Sequence, residues 1–359
     1  MQRIVHEPSY TNAHWLLDDL EQLYVQFSDF DVPKPTSLLS RKYYDTSFKT
    51  LCDLFYQYST LTEFPKEFKE YNVTPLELPE YNPKNIIVCS SGGKDSFATI
   101  RYYQKEGYNV YVYHIKGLNK TYYDEWKISQ AAAQKLGLPF ILDSVHYSGN
   151  HIWVEHPMKN MIMANMALSY GIRHNITTKI ATGNFNSSFL ADCAFGVCGG
   201  DCNDMWEAYE QIVNRFIKGF QVYRPNLNYQ VAYELLAKDA DLLQYTISCV
   251  TPVRFRKLFR DRTEKNYNIK LLPNRCGCCW KDAVEYIWFA DHNVLELNKE
   301  YYFHCIEVLA YTTSKELGFI RNVKRLWSLY FFYPMEESKL YKELDNAFIS
   351  AKGKIKFTN

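Results

Sequence analysis

From residue 84 onward, short apolar runs alternate with longer segments whose apolar positions recur at helical spacing. Residues 85–90, 109–115, 140–145 and 179–182 read as strands, and 97–106, 122–136 and 158–170 read as helices. Repeated strand–helix alternation with apolar strands predicts an α/β fold, a parallel sheet covered on both faces. Ligands in such sheets sit beyond the carboxyl ends of the strands. That rule sets residues 91–96, His114, the 146–156 loop and residues 183–186 along one edge.

The flanks have a different rhythm. Residues 12–26 and 46–58 carry helical spacing, with Trp15, Leu16, Leu20 and Leu23 on one stripe, and prolines punctuate the stretches between them. Beyond 283 the chain reads helical again, with Trp288, Phe289, Leu295 and Ile306 among its apolar positions, and its tail is basic. The expected organisation is a mainly helical N-terminal extension over 1–82, an α/β domain over 83–248, and a cysteine-containing, helical C-terminal region over 249–359.

Composition narrows the partners. The chain has 359 residues, 47% apolar and 23% charged, with a formal net charge of +1. That balance gives no global attraction to nucleic acid or to an anionic membrane. No run approaches the roughly 20 apolar residues of a membrane span, and residues 1–8 lack a signal-peptide core. A cytoplasmic protein without a membrane partner is expected, its ten cysteines reduced and either buried or metal-bound.

The densest chemistry lies at 85–96, Asn-Ile-Ile-Val-Cys-Ser-Ser-Gly-Gly-Lys-Asp-Ser. A glycine pair between a strand and a helix lets backbone N–H groups turn toward an anion at the positive helix end, and phosphate is the natural guest. The spacing is not that of a Walker loop, nor of the three-glycine dinucleotide fingerprint. It resembles the Ser-Gly-Gly-x-Asp-Ser loop of the PP-loop, or ATP pyrophosphatase, superfamily, whose members cleave ATP between the α and β phosphates and form an adenylate.

Three later blocks narrow the resemblance. They are Pro157-Met158-Lys159-Asn160 opening a helix, Asp201-Cys202-Asn203-Asp204 after Thr182-Gly183-Asn184, and Ser248-Cys249 followed by Cys276-Gly277-Cys278-Cys279. Over roughly 84–288 the order is similar to the 7-cyano-7-deazaguanine synthase (QueC-like) family of queuosine biosynthesis. The resemblance implies a doubly wound parallel sheet of the PP-loop type. It also implies a ligase that adenylates a 7-carboxy-7-deazaguanine-like carboxylate, releases pyrophosphate, and lets ammonia attack to give amide and then nitrile.

Carried over residue by residue, the resemblance implies Asp95, Ser96, Lys159 and Asp201 as catalytic. It implies nucleotide binding by Ser90, Ser91, Gly92, Gly93, Lys94, Asp95, Ser96, His114 and Gly183. Lys94 stands at the family's variable position, and Asp95 is the Mg²⁺-facing carboxylate. Zinc is implied at Cys249, Cys276 and Cys279, with Asp282 where the family has its fourth cysteine; Cys278 is the alternative fourth ligand. Cys276-x-x-Cys279 by itself has the spacing of a structural zinc knuckle.

Lys159 and Asn203 replace family arginines, and 185–200 does not match the family's loop. These departures leave open the same activation chemistry on a protein or other macromolecular acceptor, or a thiolation enzyme using Cys198 or Cys202. A homodimer is also open. Cys193, Cys198 and Cys202 form a second cysteine cluster in a glycine-rich setting. The basic run over 251–270 and the histidines at 146, 151 and 156 read as a solvated helix face and a loop.

Overall fold

The computed structural model describes residues 78–116, 125–144, 156–183, 203–214, 217–225, 227, 229–247 and 253–312. The chain divides into two compact units between Asn226 and Leu227. The N-terminal extension read over 1–82 lies almost wholly outside the described residues.

The first unit contains β1 (Asn85–Cys89), α1 (Lys94–Lys105), β2 (Asn109–Lys116), α2 (Glu125–Lys135) and β3 (Phe140–Ser144). It continues with α3 (His156–Arg173), β4 (Ile180–Ala181), α4 (Asn203–Asn214) and β5 (Val222–Tyr223). The strands form one sheet in the order β3-β2-β1-β4-β5, and every pairing is parallel. The chain steps outward from β1 to β2 and β3, then returns to the other side of β1 for β4 and β5. The direction therefore reverses between β1 and β4, where the crevice of an open parallel sheet opens at the carboxyl ends.

Period-two alternation along β1 decides which helix covers which face. Ile86 and Val88 pack with Val110, Val112, Ile100, Tyr103 and Ala133, which brings α1 and α2 to one face. Cys89 points the other way and its thiol meets the Met163 carbonyl of α3 at 3.7 Å. Ile86, Ile87 and Val88 are fully buried, each such side chain contributing about 1.5–3 kcal/mol. Gly171 lets α3 come this close: a Cβ there would lie 2.3 Å from the Thr177 carbonyl oxygen and 3.0 Å from Ile87 Cδ1.

The second unit is helical where described. It holds α5 (Tyr229–Lys238), a 3-10 turn (Ala240–Tyr245), α6 (Val253–Tyr267), α7 (Trp280–Asp291) and α8 (Lys299–Thr312). Nine consecutive residues of α7, Asp282 to Ala290, are buried, so the helix is a central element rather than an amphipathic cover. Trp288 stacks on Tyr233 with centroids 5.2 Å apart, tying α7 to α5. Among the described residues no helix is long and apolar enough to cross a membrane.

Gly171→Ala should destabilise the first unit by about 1–3 kcal/mol, because the contacted atom is backbone and cannot swing away. The check is a lower urea midpoint; an unchanged midpoint would contradict the close helix–sheet approach.

Candidate functional site

The turn from β1 into α1 is built by small residues and hydroxyls. The Ser90 N–H still pairs with the Tyr113 carbonyl at 2.8 Å, so the sheet holds the chain up to that point. Gly92 then takes a left-handed backbone, φ +78°. A Cβ on it would meet the Glu125 carbonyl oxygen at 3.2 Å and Ser129 Oγ at 3.4 Å. Glycine is thus favoured by the backbone conformation, and a side chain would also be crowded. Gly93 caps α1 with extended backbone, φ −75° and ψ 162°, and among the described residues no side chain caps the helix. The first α1 amides carry the helix's positive end toward the crevice.

Hydroxyls fix the turn from inside. The Gly92 N–H donates to Ser90 Oγ at 3.2 Å, and Ser90 Oγ lies 3.0 Å from Ser129 Oγ. The Ser91 N–H donates to Ser96 Oγ at 3.2 Å, and the two hydroxyls are 3.4 Å apart. His114 Nδ1 lies 2.5 Å from the Ser90 carbonyl oxygen. A carbonyl only accepts, so Nδ1 carries the proton in this contact. Across the crevice Gly183 follows β4, and a Cβ there would lie 3.0 Å from the Ser96 nitrogen.

One charge pair marks the rim. Lys94 Nζ meets Asp95 Oδ1 at 2.6 Å, with Asp95 the more exposed partner. Ser90 through Ser96, His114 and Gly183 therefore meet at one end of β1 and β4. Lys159 stands in the first half of α3, with its side chain outside the description. Asp201 lies outside the described residues. Ser129 is a site residue the sequence reading missed: a lone serine on a helix of small residues carries no motif.

The second unit holds a separate cluster. One ligand atom from each of Cys276, Cys279 and Asp282 lies within 4.8 Å of the others, and all three residues are buried. Local geometry accounts for this. Cys279 is the N-cap of α7, which puts Asp282 in its first turn. Asp282 Oδ2 accepts the Cys276 N–H at 2.7 Å and the Gly277 N–H at 3.1 Å. Gly277 has φ +74°, and a Cβ there would lie 2.5 Å from Leu271 Cδ1 and 2.7 Å from Thr263 Cγ2. Cys278 is exposed, and its Sγ lies 3.4 Å from that of Cys276.

Burial pushes the Asp282 carboxyl up to about 7, and the Cys276 thiol beside it pushes the same way. The Arg275 guanidinium, 4.0 Å from Oδ1, pulls it down. Among the described residues Asp282 Oδ1 has no hydrogen-bond partner. Two thiols and a buried carboxylate suit a borderline-soft cation such as zinc. Cys249, expected as a further ligand, and the cluster Cys193, Cys198 and Cys202 lie outside the described residues.

No known family model matches the chain, and comparison with curated proteins found no relative.

The raised Asp282 pKa gives a signed pH prediction for the metal-free protein. Its folded value, about 7, exceeds the ordinary aspartate value of 3.8. The resulting stability is fully present below the lower value and is lost as pH rises through the upper one. Metal-free wild type should therefore lose stability between these limits relative to Asp282→Asn. Identical pH profiles of the two melting curves would contradict the burial assigned to this carboxyl. Loading zinc should raise the wild-type Tm, and Cys276→Ser should abolish that gain.

Proposed function

We propose that the chain is an ATP-dependent, adenylate-forming enzyme with a doubly wound PP-loop domain. On this reading it belongs with the 7-cyano-7-deazaguanine synthase-like branch of the ATP pyrophosphatases. The observation that carries the reading is the Ser-Gly-Gly-x-Asp-Ser turn at the reversal point of a parallel sheet, opening onto a helix that no side chain caps.

The chemical task is to make a carboxylate, a poor electrophile, open to attack by ammonia. The α1 amides and the Ser91 and Ser96 hydroxyls hold the departing pyrophosphate with preorganised donors. Lys94, paired with Asp95, keeps that carboxylate at the rim. Asp95 is the residue that holds Mg²⁺, which supplies neutralising charge on the phosphate oxygens. His114 and Ser129 clamp Ser90 and so set the start of the turn. Gly183 keeps the crevice wall low where the nucleotide lies. Lys159 and Asp201 serve the acceptor side. Zinc on Cys276, Cys279 and Asp282, with Cys249 or Cys278, is structural.

The altered residues Lys159 and Asn203 and the unmatched 185–200 loop favour one variation, the same activation applied to a macromolecular acceptor.

With ATP, Mg²⁺, ammonium and 7-carboxy-7-deazaguanine, product masses should show the amide or nitrile with AMP in stoichiometric amount. ATP turnover that leaves this acid untouched would move the acceptor to a macromolecule. Asp95→Ala should lower pyrophosphate release by at least about 100-fold with an unchanged melting curve; undiminished release would remove Asp95 from the mechanism.

A further inference from the structure

The second unit carries a half-open cavity of ≈ 600 Å³ between the 3-10 turn, the 268–275 segment, α7, the 295–298 segment and Tyr301. That is the size of a small-molecule site. Its walls include Arg275, Asp282 and Glu285, which are 4%, 3% and 2% exposed.

The hydrogen bonding of these three is lopsided. Arg275 directs both Nε, at 3.1 Å, and Nη2 to the same oxygen, Glu285 Oε1. Its Nη1 donates to the Thr246 carbonyl and its Nη2 also reaches Thr246 Oγ1. Among the described residues Glu285 Oε2 is left with no hydrogen-bond partner, and so is Asp282 Oδ1. The 4.0 Å from Arg275 Nε to Asp282 Oδ1 is too long for a hydrogen bond. Two buried carboxylate oxygens without donors among the described residues are costly and call for donors from beyond them.

The walls do not supply them. Tyr286 donates its hydroxyl to the Glu296 carbonyl and accepts the Asn298 N–H. Tyr301 donates to the Gly277 carbonyl. Charge points the same way: Asp241, Glu285 and Glu296 line the cavity against Lys270 and Arg275.

We propose that this cavity binds a primary ammonium group, with the amine donating to Glu285 Oε2 and Asp282 Oδ1. The ammonium comes from a free polyamine or from a lysine side chain. Where Asp282 also serves the thiol cluster, Glu285 Oε2 remains the acceptor. The proposal concerns only the second unit and is independent of the adenylation reading.

The test is calorimetric titration of the full-length, zinc-loaded protein in amine-free buffer with spermidine and with Nα-acetyl-lysine methylamide, using acetamide as the neutral control. Saturable binding of at least one amine is expected, and none of acetamide. Glu285→Gln should weaken it by about tenfold or more. Because Glu285→Gln also touches the Arg275 pair, Asp241→Lys at the exposed rim provides a variant that leaves the core intact, and it should weaken binding several-fold. Tighter binding of spermidine assigns the source to a free polyamine, and tighter binding of the lysine mimic to a protein. Absence of saturable binding of either amine up to about 10 mM, or affinities unchanged in both variants, overturns the proposal.

Discussion

The turn between β1 and α1 rests on the left-handed backbone of Gly92, φ +78°, which residues with a side chain rarely adopt. A Cβ there would also be crowded by the Glu125 carbonyl and Ser129. Around that one constraint the rest of the crevice is arranged. Ser90 is held by the sheet on one side and by Ser129 and His114 on the other. Ser96 is held by Ser91, and Gly183 leaves it the room a side chain would fill. The outcome is a helix end with no side-chain cap at the reversal point of a parallel sheet, and such an end attracts anions by its dipole and its amides.

The second unit depends on a different group, the buried carboxylate of Asp282. One oxygen gathers the knuckle amides of Cys276 and Gly277, and the other lacks a hydrogen-bond partner beside a buried Arg275–Glu285 pair. Burying such a carboxylate is unfavourable unless a cation or a proton compensates it. Its raised pKa and its position beside two thiols are two expressions of that one fact.

Long periodic segments made much of the first unit legible. Apolar runs located the strands at 85–90 and 109–115 to within a residue or so of Asn85–Cys89 and Asn109–Lys116. The helix read from Phe97 begins at Lys94, because its first turn is polar and Gly93 offers no capping side chain to read. β5 went unread, since two residues have no period. Its place is set at long range, with Val222 N–H bonded to Glu210. Asp282 was named only through the family resemblance, as the place of a fourth cysteine, and the α7 N-terminus brings it to both thiols. The Arg275–Glu285 pair and Ser129 had no sequence signal, because their partners meet only once helices and loops have packed.

The uncapped α1 end is the centre of this account, and backbone amide shifts test it most directly. The chain has 15 glycines, so ¹⁵N-glycine labelling gives a small set of signals in which Gly92 and Gly93 can be assigned by substitution. Adding ATP with Mg²⁺, and separately pyrophosphate, should move Gly92 and Gly93 most, with Gly183 next. Saturating ATP that leaves these signals in place, or shifts only glycines of the second unit, would contradict it.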